Sequence, residues 1–251
     1  MYPGHVTLPA AVTALAEALD GLGWVSDLLV GGSLATGDYV IGVSDLDLVA
    51  IAKGPVDATR CRDLTAVHQA LDARVAAGAD LGCAYVDAYR LESFAATHPT
   101  WTHGVLVPRV LSGIARAELV LEGFAVLGRE PAALLPPVSH DDVRAAARSE
   151  LCGYWRTAAR RPWWWSDPVI ADLGLTSMAR GRYALRTGRL LTKTAAIEQA
   201  DAPAWLRDQL RARRQGEAVV SPRLQAGWIA WRDARRTVAG AAAISPGRGA
   251  R

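Results

Sequence analysis

The chain has 251 residues, 51% of them hydrophobic and 21% charged, and its formal net charge at pH 7 is +3. This is the composition of a globular protein with one large domain or two modest ones. No apolar run approaches the length that a bilayer requires, and the N-terminus lacks a basic region followed by an apolar one. Three cysteines without metal or redox spacing are expected to be free thiols, and together these features predict a cytoplasmic protein.

Charge is divided unevenly along the chain. Residues 1–130 contain 8 Lys or Arg against 15 Asp or Glu, whereas residues 131–251 contain 20 against 10. Carboxylates suit a metal ion and cations suit a triphosphate, so a site that draws on both halves can offer both. Simple attraction between two oppositely charged domains explains the asymmetry equally well.

The first half mixes helical and strand periodicity. In chain order the pattern predicts a helix over 11–22, a strand over 25–30, a short helical turn over 34–37, a strand over 45–51, a helix over 57–77, a strand over 80–87 and a fourth strand over 119–127. We therefore expect a domain over residues 1–130 in which helices pack against one mixed sheet.

The second half reads as helical almost throughout. A Pro-rich linker over 131–138 precedes Ser139, which with Asp142 predicts a capping box. The predicted helices cover 140–160, 168–187, 192–200, 203–214 and 221–240, with Gly188 as a C-cap and Thr192 as an N-cap. We expect an all-α bundle over residues 131–244, followed by a disordered tail over 245–251.

A glycine-rich turn follows the first predicted strand. Gly31 and Gly32 allow backbone N–H groups to approach a phosphate closely, and the hydroxyl of Ser33 can donate a hydrogen bond to it. The turn is not a P-loop, because no Gly-Lys-Ser/Thr follows it.

Two carboxylates open the second strand. Alternation along a strand places Asp45 and Asp47 on one face, where they suit a divalent metal that also holds phosphate oxygens. Ser44 precedes them and can add a second hydroxyl. Either feature alone is common, and the ordered combination of turn and carboxylates carries the prediction.

This combination resembles the nucleotidyltransferase superfamily of the polymerase-β type, whose signature is Gly-Gly/Ser followed by Asp-x-Asp. The run from Asp172 through Arg180 to Lys193 resembles the helical domain of aminoglycoside 3″-adenylyltransferase-like proteins. The resemblance implies an α+β fold: an N-terminal nucleotidyltransferase domain with a mixed sheet, followed by an all-α helical bundle. It also implies that Asp45 and Asp47 bind Mg²⁺ and that ATP serves as co-substrate. AMP then passes to a hydroxyl of a small molecule, an aminoglycoside among the candidates, as in antibiotic resistance.

The third carboxylate of that family has no counterpart at the expected position. By alignment it falls at or near Gly82, which is not acidic. Asp80 lies two residues away, on the same face if the strand is regular, and we favour it as the general base. Asp87 and Glu92 are the alternatives.

In the second half, the resemblance implies that Lys193 reaches the triphosphate, although a solvated lysine at a helix start is the simpler interpretation. It also implies that Trp165, Asp167 and Asp172 face the acceptor, and an acidic pocket there suits a cationic compound. Three consecutive tryptophans cannot all face one core, so at least one is expected to be partly exposed.

Two other functions stay open. One is a nucleotidyltransferase that acts on a protein or on RNA, although no dense basic stripe with interleaved aromatics predicts nucleic-acid binding. The other is a non-catalytic nucleotide-binding or antitoxin-like protein, which the change at Gly82 favours. Neither a nucleic-acid partner nor a membrane is expected.

Overall fold

The structure is a computed structural model that describes residues 8–244, so the predicted tail over 245–251 lies outside the described residues. The chain divides into two compact units, Met1–Pro137 and Val138–Arg251. The sequence predicted a boundary after residue 130, within the segment that the structure assigns to the first unit.

The first unit combines six strands with helices. In chain order it contains α1 (Ala10–Gly21), β1 (Val25–Val30), α2 (Gly32–Ala35), β2 (Leu46–Ala52), α3 (Ala58–Asp72), β3 (Leu81–Asp87), a 3-10 turn (Ala88–Arg90), β4 (Thr97–Thr102), β5 (Val105–Val110), α4 (Gly113–Glu122), β6 (Phe124–Leu127) and α5 (Pro131–Leu134). The strands form one sheet in the order β5-β4-β3-β2-β1-β6. Only β2 and β3 pair in parallel among the strand pairs of the described chain.

Alternating side chains of the central strands bury both faces of this sheet. Leu28 and Leu48 belong to the apolar cluster that includes α1, where Leu15 is fully buried. Leu29 and Val49 lie one residue further along and belong to the opposite cluster. Burial on both faces explains why β2 is a nearly continuous apolar run after Asp47.

The α3 side of the sheet contains a buried histidine. His68 is fully buried, its Nε2 lies 2.6 Å from the hydroxyl oxygen of Tyr85, and its ring stacks on Trp101 with centroids 4.7 Å apart. Burial disfavours the charged imidazolium and lowers the pKa of His68 to about 3.

Acid is therefore expected to destabilise the chain through His68. Between pH 6.5, the usual pKa of histidine, and about 3, the unfolded chain binds a proton that the folded chain does not. The free energy of unfolding falls as pH falls through this window, by up to about 1.4 kcal/mol per pH unit. Denaturant unfolding at about pH 7 and about pH 5 measures the fall. His68→Gln should lessen it, and an equal fall in that variant would contradict the assignment.

The second unit is helical throughout its described part. It contains α6 (His140–Glu150), a π-helical stretch (Leu151–Trp155), α7 (Arg156–Ala159), a 3-10 turn (Pro162–Ser166), α8 (Pro168–Thr187), α9 (Lys193–Glu198), α10 (Ala204–Arg214) and α11 (Arg223–Ala243). The predicted caps are all present: Ser139 and Asp142 form a capping box, Gly188 ends α8 with φ of +69°, and Thr192 caps α9. None of the helices described over residues 8–244 combines the length and apolar character that crossing a bilayer requires.

One predicted strand is wrong. The apolar run that suggested a strand over 119–127 belongs partly to α4, whose N-cap Ser112 accepts a hydrogen bond from the backbone N–H of Ala115. Gly123 ends that helix, and β6 occupies only the last four residues of the predicted span. The hairpin of β4 and β5 was not predicted. The fold class, a mixed sheet with helices followed by a helical region, is confirmed.

Candidate functional site

The turn between β1 and α2 brings the glycines against the start of β2. The backbone N–H of Gly31 donates to the carbonyl oxygen of Asp47 at 2.9 Å, which extends the pairing of β1 with β2. Gly32 then adopts φ of +58°, a left-handed conformation that residues with side chains rarely adopt. Chain direction changes here, and Ser33 enters the first turn of α2.

The side chain of Asp47 occupies the space beside Gly32. A β-carbon built on Gly32 would overlap the carboxylate of Asp47, with Oδ2 as its nearest atom. At Gly31 a β-carbon would meet Leu119 Cδ2 at 3.3 Å. The two glycines therefore allow the carboxylate and the backbone of the turn to lie together, and the predicted approach of a phosphate to this turn stays a prediction.

Ser33 contributes a buried hydroxyl to this turn. The residue is 8% exposed, and its Oγ has no hydrogen-bond partner within the part of the chain that the structure describes. Buried polar atoms without a partner are rare in folded proteins, and they often mark positions where a ligand or water completes the bonding. A phosphate oxygen suits such a hydroxyl.

The predicted carboxylates lie at the start of β2. Asp47 is the second residue of the strand and is exposed, whereas Asp45 immediately precedes the strand and is half-buried. Ser44 is buried, and its Oγ accepts a hydrogen bond from the backbone N–H of Val40 at 3.0 Å. This bond gives Ser44 a role in shaping the loop, and its predicted contact with phosphate stays a prediction.

A pocket of about 260 Å³ adjoins Asp47 within the first unit. Its floor is the face of the sheet that carries Gly82 and Ala84, and α4 contributes Glu118 to the lining. The remaining lining includes the glycine turn and positions on β4 and β5: Gly31, Gly32, Thr100, Thr102 and Arg109. The sequence did not predict Glu118 or Arg109 as site residues, because α4 and the hairpin were not predicted.

The third carboxylate of the family is absent from its expected strand position. Gly82 pairs with Asp47 in the parallel register of β2 and β3, so the position adjacent to Asp47 carries no acid. Asp80 precedes β3 with φ of +42°, so the regular alternation that placed it on the face of Gly82 is wrong. One of its oxygens lies 3.5 Å from Nδ1 of His103, and it does not line the pocket.

The two alternative acids also lie outside this lining. Asp87 is buried and its side chain accepts a hydrogen bond from the backbone N–H of Tyr89, where it caps the 3-10 turn. Glu92 is exposed on the following segment. Neither residue therefore replaces the carboxylate that is absent at Gly82.

Trp165 is a core residue of the second unit, which corrects its assignment to the acceptor. It is 1% exposed, and its Nε1 donates to the carbonyl oxygen of Ala158 at 3.0 Å. No surface is left for contact with a ligand. Trp163 is the exposed member of the three tryptophans, at 66%.

The two predicted acidic residues of the acceptor site have partners inside the second unit. Asp167 is exposed and caps α8 by accepting from the backbone N–H of Val169. Asp172 forms a two-point ion pair with Arg213, with distances of 2.6 and 2.9 Å. Burial raises the pKa of the Asp172 carboxyl, and Arg213 opposes that rise. Because Arg213 neutralises it, Asp172 is a poor receptor for a cationic acceptor.

Lys193 is the first residue of α9 and is half-buried. It belongs to the second unit, and its predicted contact with the triphosphate stays a prediction. Arg180, which the same run contains, donates from Nε to the carbonyl oxygen of Leu191 at 2.8 Å. That bond gives Arg180 a structural contact within its own unit.

The donor set fits a magnesium ion that is shared with a substrate. Over residues 8–244 no group of three or more His, Cys, Asp or Glu side chains is arranged to hold a metal. Mg²⁺ is commonly held by one or two carboxylates together with phosphate oxygens and waters, rather than by a complete protein cage. Asp45 and Asp47 are the pair that the sequence predicts for this role, and the buried hydroxyl of Ser33 in the adjoining turn suits a phosphate oxygen.

Known proteins resemble this chain in fold and not in sequence. No family model and no curated protein sequence matches it. Among solved structures, it is similar to spectinomycin adenyltransferase AAD(9) from Enterococcus faecialis, determined with ATP and spectinomycin. The TM-score is 0.69 at 13% identity, over 90% of this chain and 98% of that one. The expected resemblance to a nucleotidyltransferase is thus confirmed at the level of the fold.

Under the nucleotide-binding function that we propose below, replacing Gly32 with alanine is expected to weaken binding by about 30-fold or more, because the new methyl group displaces the carboxylate of Asp47. Gly37→Ala is the matched control, since Gly37 also has a positive φ, of +70°, but a β-carbon there meets nothing within 4 Å. Titration of both variants with Mg²⁺ and ATP measures the difference. Equal affinities in the two variants would contradict this role for Gly32.

Proposed function

We propose that this chain is a magnesium-dependent nucleotidyltransferase that moves AMP from ATP to a hydroxyl of a small molecule and releases pyrophosphate. The observation that carries the proposal is the close approach of the Asp47 carboxylate to the backbone of the glycine turn at Gly32. This approach supports a site in which a metal-binding carboxylate and a turn suited to phosphate lie side by side.

Each part of the turn has a distinct task in this reaction. Asp45 and Asp47 hold the metal, and the hydroxyl of Ser33 donates to a phosphate oxygen. When bound, Mg²⁺ neutralises the charge of the triphosphate and of the departing pyrophosphate. Little covalent chemistry is required of the protein in phosphoryl-type transfer, so positioning and charge neutralisation supply most of the acceleration.

The acceptor class is a separate part of the proposal. The similar structure was determined with spectinomycin, which supports an aminocyclitol or aminoglycoside as the first compounds to test. Two observations weaken a cationic acceptor held by the second unit: Trp165 is buried, and Asp172 is paired with Arg213. We therefore propose a hydroxyl compound without specifying that it is cationic.

One observation favours a second candidate function. The position opposite Asp47 is Gly82, so the chain lacks an acid where the family carries one. A protein that binds Mg²⁺ and ATP but transfers nothing, such as an antitoxin-like relative, would have this feature. The same gap is compatible with a transferase that acts on a protein or RNA.

Pyrophosphate release tests these alternatives. The native chain is incubated with Mg²⁺ and each of the four nucleoside triphosphates, against a panel of aminoglycosides, aminocyclitols and uncharged polyols. Release that requires one panel compound, stops on chelation of the metal and returns on addition of Mg²⁺ supports the proposal. Binding of ATP in calorimetry, with no release for any panel compound, favours the non-catalytic or macromolecular function.

A further inference from the structure

Glu118 is the acidic residue that α4 presents to the pocket beside Asp47. It is half-buried, and it lines the pocket together with Gly32, Asp47 and Gly82. The helix is held at this position by Leu119, which is 1% exposed and lies against Gly31. The start of the helix is fixed by the cap at Ser112.

Small residues form the floor of the pocket that Glu118 and Asp47 both line. Gly82 and Ala84 have the smallest side chains available, and they are the β3 residues of this face that line the pocket. A β-carbon at Gly82 would meet only backbone oxygens, at 3.5 and 3.7 Å, which are ordinary contact distances. The space above Gly82 is therefore open, and a side chain placed there would enter the pocket.

We propose that Glu118 is the catalytic residue that takes the proton from the acceptor hydroxyl. The inference rests on the proposed function, and it assigns the base to α4 rather than to β3. As the O–H bond breaks, its proton moves to a carboxylate oxygen of Glu118. The acceptor oxygen forms a bond to the α-phosphorus, and the bond from that phosphorus to the bridging oxygen breaks. Pyrophosphate leaves with the electron pair, and the proton on Glu118 returns to water.

The other candidate bases are placed less favourably. Asp80 lies against His103 and outside the pocket lining, Asp87 caps the 3-10 turn, and Glu92 is exposed on another segment. Of the acidic residues in the described chain, the pocket lining includes Asp47 and Glu118. Because Asp47 is assigned to the metal, Glu118 is left to accept the proton.

Glu118→Gln tests the assignment while keeping size and hydrogen-bonding capacity. We expect kcat for pyrophosphate release to fall by about 10²–10⁴-fold, with the KM for ATP and the calorimetric affinity for Mg²⁺ and ATP unchanged. Glu122→Gln is the matched control, because Glu122 is an exposed glutamate on the same helix and does not line the pocket. Thermal unfolding of both variants is recorded, so that a loss of folding is not mistaken for a loss of chemistry.

A rescue experiment separates chemistry from structure. Gly82→Glu introduces a carboxylate into the same pocket from β3. We expect kcat of the double variant Glu118→Gln, Gly82→Glu to be at least about tenfold higher than kcat of Glu118→Gln alone. A residue with a merely structural role on α4 could not be replaced from β3 in this way.

The outcomes distinguish this inference from the proposed function. If Glu118→Gln releases pyrophosphate at the native rate, or if Asp80→Asn alone abolishes release, the role of Glu118 is overturned while the proposed function stands. If the native chain releases no pyrophosphate with any acceptor, the proposed function is overturned and the role of Glu118 with it.

Discussion

Replacing Asp45 and Asp47 together with asparagine is expected to reduce pyrophosphate release by at least about 10³-fold. The substitution keeps the shape of both side chains and removes both charges, so under the proposed function the variant can no longer hold Mg²⁺ against the triphosphate. Loss of a single well-placed electrostatic contact typically costs about 10²–10³-fold in rate, and here two are lost. Single-turnover pyrophosphate release measures the effect, and calorimetry with Mg²⁺ and ATP shows whether binding is lost as well.

Asp20→Asn is the control for the charge change, because Asp20 is an exposed carboxylate on α1. It should release pyrophosphate at the native rate. The double variant should retain the native circular dichroism spectrum, since neither aspartate belongs to an apolar cluster. If it binds Mg²⁺ and ATP as tightly as the native chain, the metal site lies elsewhere and the proposed function is wrong.

The glycine turn and the two aspartates could be predicted because their chemistry is local. Gly32 adopts a positive φ, which favours glycine, and Asp47 lies at the start of a buried strand, where an apolar run begins. Both features can be recognised in the sequence. The long helices of the second unit were predicted for a similar reason. Their ends carry explicit signals, such as the Ser139 capping box and Gly188.

The β4–β5 hairpin was missed although its turn carried a signal. His103 and Gly104 both have positive φ, of +48° and +76°, which is the backbone conformation that a two-residue hairpin requires. Asn-Gly is the usual dipeptide in such a turn, so the His-Gly pair at this position did not indicate a hairpin. Without β5, the contribution of Arg109 to the pocket could not be inferred.

Glu118 could not have been predicted as a site residue from local pattern. The run around Leu119 is apolar enough to suit a strand, and the hydrogen bonds from Ala115 N–H to Ser112 Oγ and from Arg116 N–H to the Ser112 carbonyl oxygen show where the helix begins. Its place beside Asp47 also depends on the sheet order, which no local pattern specifies. The glycine at position 82 was visible in the sequence, but the position of Glu118 in the lining of the same pocket was not.

The role of Trp165 illustrates the opposite error. The resemblance to aminoglycoside adenylyltransferase-like proteins implied that Trp165 faces an acceptor, yet two glycines on different helices enclose it. Gly174 of α8 lies against its ring, and Gly227 of α11 lies against its backbone carbonyl. Close approach of this kind requires residues without side chains on the partner helices, and only the three-dimensional arrangement shows which glycines serve it.

Gly227→Ala is therefore expected to destabilise the protein, against the usual benefit of alanine in a helix. Alanine is favoured over glycine by about 1 kcal/mol in a helix interior. At Gly227, however, the new β-carbon would overlap the carbonyl oxygen and carbon of Trp165. Both sides of that contact are backbone or attached directly to it, so neither can rotate away. We expect the free energy of unfolding to fall by about 2–3 kcal/mol, in the upper part of the usual range of about 1–3 kcal/mol for overpacking.

Gly240→Ala on the same helix isolates the cause. Gly240 is exposed and a β-carbon there meets nothing within 4 Å, so only the higher helix propensity of alanine acts. The free energy of unfolding of this variant should rise by about 0.5–1 kcal/mol. The guanidinium concentrations at which the two variants are half unfolded should thus lie on opposite sides of the native midpoint. If both variants gained the same free energy of unfolding, the Pro162–Ser166 turn would not pack against α11 at Gly227. The core position of Trp165 would then lose its main support.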